Sequence, residues 1–388
     1  MAADSAVTVG NRYAVYNSAD KLFQLSPNAP VGLLAFGKAE LMGVPLEIIV
    51  SEYGKHTGNK TFPYLKQYVE DFCSFIEHNS EYFMFEQYES KYLYDFCGAF
   101  LREIKMRFDS YTEYRENSKQ QKCDSLKEDL NNIFTDFLEE LDKFVKTDTS
   151  FAKYVESKHY DFLKSKIIED NEIDFLTADQ KKMLCEKAIK LLDTDFSPDD
   201  TGVAIAGYGD KEIYPSLHCF YINGVFKGKV RLAKYNSREI SEKCYASIHP
   251  FAQRDIMDNI LTGIDNVERE LINNIPYNVA RGIGSMDDSL FAPGKKENVI
   301  SEIFNGVGQI VSYVIDKTEE RNNIIDSVKC LPIPELTSLA ESMINITSIL
   351  RKVKIDEKNS TVGGPVDSLV ISKSGGLKWM KKKNYCNE

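Results

Sequence analysis

The chain has 388 residues, 43% of them hydrophobic and 28% charged, with a formal net charge of −11. That length supports two or three structural units and a substantial core, and the acidic balance argues against a partner such as nucleic acid, which needs a basic face to bind. No apolar run approaches the ~20 residues needed to cross a bilayer, and the first five residues offer neither a basic nor an apolar signal region, so the expected setting is cytoplasmic, with no membrane partner.

Residues 12–37 alternate short apolar runs with turn chemistry: Tyr13-Ala14-Val15-Tyr16, then Leu22-Phe23-Gln24-Leu25, then Val31 to Phe36 after Pro27-Asn28. This pattern predicts two or three short strands. From Ala39 to Tyr53, apolar positions recur near helical spacing, and Gly54 is expected to close a helix there. Over residues 61–195 glycine nearly vanishes and charge rises, and Phe134, Phe137, Leu138, Leu141, Phe144 and Val145 follow an i, i+3, i+4, i+7 pattern, which predicts a long helical block. The block is rich in aromatics, including Phe72, Phe75, Tyr82 and Phe83, which are read as packing between helices, with a binding surface as the competing reading.

Strand signals return at residues 202–209, 217–222 and 225–232, with Asn223-Gly224 expected as the turn between the last two. Helical stretches follow near 250–275, 297–320 and 333–353. Residues 366–372 and 377–381 read as a closing hairpin around Lys373-Ser374-Gly375-Gly376, and the basic run Lys381-Lys382-Lys383 as a solvated tail.

The eight cysteines are scattered, with no CxxC pair, which disfavours both a disulfide framework and a metal cluster. Reduced thiols in small core positions are the expected reading. His218 and Cys219 are adjacent, but alternation along a strand points them to opposite faces. No metal or other cofactor is expected.

Ala2-Ala3-Asp4-Ser5-Ala6-Val7-Thr8-Val9-Gly10, then Lys21-Leu22, then Ala35-Phe36-Gly37-Lys38-Ala39-Glu40 occur in that order and at nearly the spacing found in proteasome β-type subunits and their bacterial two-ring relatives. The opening of the chain thus resembles that family of Ntn hydrolases. Gly207-Tyr208-Gly209 and Val370 to Gly376 are similar to later strand pairs of the same fold. The resemblance implies an α+β fold, a four-layer αββα sandwich, divided here by a large all-α insertion: residues 1–60 and 196–388 form the sandwich and 61–195 the insertion.

An Ntn hydrolase uses the hydroxyl or thiol of its first residue as nucleophile, with that residue's α-amine as base. The amine's ordinary pKa of ~7.7–8.0 suits the task. By position, the resemblance implies catalytic roles for Lys21 as the lysine beside the nucleophile, Asp4 as the carboxylate that holds it, and the Gly37 backbone N–H as the oxyanion donor. Thr8 would bind the substrate main chain, Ala35 would line the side-chain pocket, and Ala39 joins the substrate-binding positions. Read without the family, a Lys near an Asp is an ordinary surface pair and Gly37 simply a residue that permits a tight turn.

Two departures stand out. The family's nucleophile opens a strand before the "AAD" strand, whereas only Met1 precedes Ala2 here, and Ala2 has no nucleophilic atom. The family's late Ser-Gly-Gly with an upstream Asp is matched best by residues 359–364, where Gly363 and Gly364 are kept, Val362 stands at the Ser position, and Thr361 is the candidate substitute. The expectation is an amide or peptide hydrolase scaffold that is N-terminally truncated and inactive as written, an Ntn-type threonine, serine or cysteine peptidase if an upstream nucleophile exists. It is expected to form homo-oligomers and to meet a protein partner through residues 61–195. The competing expectation is a catalytically silent scaffold or adaptor that acts through the insertion.

Overall fold

The computed structural model describes residues 1–9, 14–16, 18–83, 86–117, 124–142, 150–168, 176–194, 201–242, 244–251, 254–263, 266–284, 295–321, 327–353 and 363–383. In chain order the strands are β1 (Ala2–Asp4), β2 (Val7–Val9), β3 (Ala14–Tyr16), β4 (Leu22–Gln24), β5 (Val31–Gly37), β6 (Glu40–Leu41), β7 (Val44–Pro45), β8 (Thr201–Gly207), β9 (Ser216–Phe226), β10 (Lys229–Glu239), β11 (Val366–Ser372) and β12 (Gly376–Lys381). The helices are α1 (Leu46–Thr57), α2 (Leu65–His78), α3 (Ser80–Phe83), α4 (Glu86–Asn117), α5 (Asp124–Asp142), α6 (Ser150–Ile168), α7 (Ala178–Lys190), α8 (Arg254–Thr262), α9 (Asn266–Gly284), α10 (Lys296–Arg321) and α11 (Ile333–Val353). The architecture is mixed α+β with antiparallel pairing. It divides into two units: Met1–Ala19 with Ile240–Val370 and Trp379–Glu388, and Asp20–Glu239 with Ile371–Lys378. Among the described residues, no helix is long and apolar enough to cross a membrane.

The second unit is built on a five-stranded sheet of order β10-β9-β8-β5-β4. Alternation along the strands sends Val31, Leu33, Ala35, Val203, Ile205, Phe220 and Ile222 to one face, where they form a core with α1 and α2. Helix α2 presents Leu65, Tyr68, Val69, Phe72, Phe75 and Ile76 to that core, all buried and all at helical spacing. Burying six such side chains contributes on the order of 10 kcal/mol. Helices α4 to α7 enclose a second core that includes Phe96, Phe100, Phe134, Phe137, Leu163 and Leu184, with Phe226 of β9 among its members. Helix α7 begins with a reciprocal cap, in which Thr177 Oγ1 accepts from Gln180 N (3.2 Å) and Gln180 Oε1 from Thr177 N (2.9 Å). The aromatics of this block are mostly interior, as expected of helix packing: Phe72, Phe75, Phe83, Phe96 and Phe100 are buried, while Tyr82 is exposed.

Arg231 of β10 is fully buried and donates to three carbonyls at the C-terminal end of α7: Leu192 through Nε, and Leu191 (3.3 Å) and Thr194 (2.9 Å) through Nη2. Its guanidinium lies 5.4 Å from the Phe96 ring centroid. Carbonyls just past the C-terminus of α7 thus receive a cation that complements the helix dipole.

Three expected boundaries shift. Residues 40–45 form the β6/β7 hairpin around Met42 and Gly43, both at positive φ, so α1 starts only at Leu46, after Pro45, and ends at Thr57 with Gly58 as its C-cap; Gly54 lies inside it. Asn223-Gly224 is not a turn but lies within β9, where a register shift opposite residues 230–232 marks a bulge and Asn223 is fully buried. The turn falls at Lys227-Gly228, with φ of 52° and 69°, the pair of left-handed residues that a two-residue hairpin requires. The local Asn-Gly signal is overridden by the core, because β9 continues past Gly224 and buries both Val225 and Phe226.

In the first unit, β1, β11 and β12 form a three-stranded sheet with β1 at its edge, and β2 pairs with β3. Ala3 faces Asp367 across the β1/β11 ladder. Helix α11 packs on β1, and its Glu341 accepts from Ser368 Oγ at 2.6 Å.

Candidate functional site

The first candidate segments meet around β1. Asp4 Oδ2 accepts from Gly363 N at 3.0 Å and from Ala6 N at 3.3 Å. Ser5, fully buried, donates its N–H to Gly363 O (3.2 Å) and its hydroxyl to Pro365 O (2.8 Å), and its own carbonyl accepts from Ala19 N (3.1 Å). A strand of three residues gains little from its ladder, and these bonds fix its end to a loop more than 350 positions away in sequence. Gly364, next in that loop, has φ of 76°. Thr361 lies outside the described residues, and of Thr8 the structure describes the backbone, paired with Val15.

Asp367 and Lys383 complete this region, and the sequence pointed to neither. Lys383 Nζ lies 2.5 Å from Asp367 Oδ2 and donates to Ala19 O at 2.8 Å, while the Lys383 N–H donates to Asp367 Oδ1 at 2.7 Å. Both side chains are buried, at 5% and 4% exposure. The expected solvated tail is therefore corrected at its last lysine: Lys381 and Lys382 are exposed, whereas the Lys383 ammonium turns inward because a buried carboxylate must be paired.

The remaining candidates belong to the second unit. Lys21 directly precedes β4, and its carbonyl accepts from Ala35 N at 2.8 Å, extending the β4/β5 ladder by one rung. Ala35 is 2% exposed and packs in the core beside Leu33, so within this chain its methyl is core packing. Gly37 closes β5 opposite Thr201 with φ of 71°, a left-handed conformation that favours glycine, and its neighbourhood is fixed by the Thr201 hydroxyl donating to Glu40 O. Ala39 O accepts from Leu46 N at 2.9 Å, which ties the approach to α1 to the helix start. Lys21, Ala35 and Gly37 thus lie at one end of the β4/β5 pair.

A separate groove of about 290 Å³ runs between α2 and β10, lined by residues including Lys66, Glu70, Cys73, Glu77, Leu232 and Tyr235. Tyr235 Oη lies 2.6 Å from His218 Nδ1, and burial lowers the His218 pKa. The thiols divide by environment. Cys97 and Cys185 are buried, as expected of core thiols, and burial pushes the Cys185 thiol up to about 12. Cys244 and Cys330 are exposed, contrary to that expectation, because they lie outside both apolar cores. Among the described residues, no group of three His, Cys, Asp or Glu is placed to hold a metal ion.

Comparison of the chain with protein-family models, curated proteins and solved structures returns no match.

Proposed function

We propose that the chain is the supporting scaffold of a proteasome-like N-terminal-nucleophile hydrolase acting on amide or peptide bonds, with an αββα sandwich core. The observation that carries this reading is the hydrogen bond from Gly363 N to Asp4 Oδ2. The family resemblance assigns the "AAD" strand and the late Gly-Gly loop to the surroundings of one nucleophile, and nothing in their separation along the chain requires them to touch. Gly37 at positive φ at the end of β5 supports its assignment as the oxyanion donor, since a backbone N–H aimed at a developing charge must be held by a fixed turn. In this reading Lys21 stabilises the ionised nucleophile and Asp4 holds the supporting shell in place. The alternative, a silent adaptor acting through the helical insertion, finds less support, because most aromatics that would form its surface are buried in the cores.

The test is to sequence the N-terminus of the protein from its native source and to assay that protein against a panel of fluorogenic peptides. The expected result is a native protein whose N-terminal residue is Thr, Ser or Cys, turnover by that protein, and loss of turnover on Lys21→Ala. A native protein whose N-terminal residue is none of these, or that turns over no peptide of the panel, overturns the proposal.

A further inference from the structure

Helices α9 and α10 pack as a pair and carry apolar surface that the described fold does not cover. In α10, thirteen consecutive residues from 303 to 315 bear no charge, and in α9 ten from 271 to 280 bear none. At the chain-wide 28%, the α10 stretch alone would hold three or four charges. Ile300, Ile303, Val307, Val311 and Ile315 form the half-buried to buried stripe of α10, but Phe304 and Ile310 lie off that stripe at 44% and 65% exposure. On α9, Leu271 and Tyr277 are 64% and 60% exposed. A helix that is apolar all round belongs in an interior.

A second observation is independent of these side chains. Gly306 shares a face with Ile310 at i, i+4 spacing, and a Cβ built on Gly306 or Gly308 meets nothing within 4 Å. Glycine inside an exposed helix costs ~1 kcal/mol relative to alanine. Among the described residues no contact at Gly306 or Gly308 accounts for that cost, whereas a second backbone approaching closely at this notch does.

We propose that the α9–α10 pair is the interface through which two copies of this chain associate. Seven large apolar side chains on the two helices, 42% to 65% exposed, leave on the order of 700 Å² of apolar surface at 150–250 Å² per large side chain. One side of a standard interface buries ~800 Å², so the patch matches half of an isologous contact. The occupant is a second copy because the patch is charge-free on a chain of net charge −11. A strongly acidic or basic partner finds nothing there to pair with, while self-association about a two-fold axis brings together two surfaces that carry no like charges, with projecting Ile310 beside the Gly306 notch. The inference is independent of the hydrolase reading.

The test is sedimentation velocity of the full chain from about 1 μM to about 100 μM, the range in which micromolar association is read. The expected result is a dimer, or an even-numbered assembly of dimers, whose dissociation constant rises at least 100-fold in Ile310→Glu and in Leu271→Glu. Ile213→Glu, at an 81% exposed apolar residue outside the helices, leaves association unchanged. Gly306→Leu adds no charge and raises helix propensity, so it separates misfolding from interface loss; it fills the notch and is expected to weaken association more than tenfold. A wild-type chain that stays monomeric at the highest concentration, or helix variants that sediment as the wild type does, overturns the proposal.

Discussion

Lys383→Met removes the ammonium from a buried ion pair while keeping the length of the side chain. In the native chain, Asp367 receives the Lys383 ammonium at 2.5 Å and the Lys383 N–H at 2.7 Å, with the two side chains 5% and 4% exposed. The substitution leaves a buried carboxylate with one backbone donor, and breaking such a pair from one side costs ~3–5 kcal/mol, a large part of the 5–15 kcal/mol that holds a typical domain. With a urea m-value of ~2 kcal/mol/M, the unfolding midpoint falls by about 1.5–2.5 M. The single tryptophan, Trp379, lies in β12 within the first unit, so its fluorescence reports the unit concerned. Adding Asp367→Asn removes the stranded charge and is expected to restore more than half of the loss. A Lys383→Met midpoint within about 0.3 M of wild type, below ~1 kcal/mol at that m-value, would refute the reasoning, and so would a double variant less stable than the single one.

Asp4→Ala deletes the acceptor of the Gly363 and Ala6 N–H groups and is expected to cost ~1.5–3 kcal/mol in urea unfolding, the range for hydrogen bonds to a charged group, with Asp4→Asn losing about half as much because one carbonyl oxygen remains. Arg231→Met removes the donor from the carbonyls of Leu192 and Thr194 and one of the donors from that of Leu191; a loss of ~2–4 kcal/mol and faster amide exchange across α7 are expected, and Arg231→Lys does not restore the cap because one ammonium lacks the planar fork that spans several carbonyls. Iodoacetamide at pH 8 followed by peptide mass analysis is expected to label Cys244 and Cys330 within minutes and to spare Cys97 and Cys185, since a thiol raised to about 12 holds roughly one thiolate in 10⁴ at that pH. The same shift sets a pH dependence. The unfolded Cys185 thiol loses its proton near 9.0 and the folded one near 12, so the folded state binds more protons in that window, and the contribution of Cys185 to stability is constant below pH 9 and declines between pH 9 and 12.

The strands and the helical block were legible where periodicity was strong. Leu65 to Ile76 repeats at helical spacing and is a helix; Val31 to Phe36 is a continuous apolar run and is the interior strand β5, paired on both sides and buried along nearly its whole length. Turn positions were less legible, because Asn-Gly is a strong local hairpin signal, yet Asn223-Gly224 lies inside β9, where Val225 and Phe226 are buried, and the turn falls at Lys227-Gly228. Asp4 and Gly363 were singled out through order and spacing, which resemble a known pattern, and the structure places them in hydrogen-bond contact. Ser5, Asp367 and Lys383 gave no signal, since a serine after an aspartate, an acid in an apolar strand and a lysine in a basic tail are each ordinary until the fold buries them.

What distinguishes the region around β1 is how much polar bonding serves so short an element. Asp4 and Ser5 bind the Gly363–Pro365 loop, the Ser5 carbonyl also accepts from the Ala19 N–H, and Asp367, opposite Ala3, is neutralised by a lysine that donates to the carbonyl of Ala19. An apolar strand of this length could be held by packing alone at lower desolvation cost, because a buried ion pair stabilises no better than well-packed apolar residues of similar volume. Such a network contributes directional rigidity instead, fixing β1 in position and orientation through bonds that tolerate little displacement. That is the requirement of a strand that supports reacting groups, where an error of about 1 Å in placement costs most of the rate. The Asp4→Asn variant separates the two roles: a strand that is only structural loses stability in proportion to the bond removed, whereas a positioning strand loses turnover in the native protein well beyond what its lowered stability accounts for.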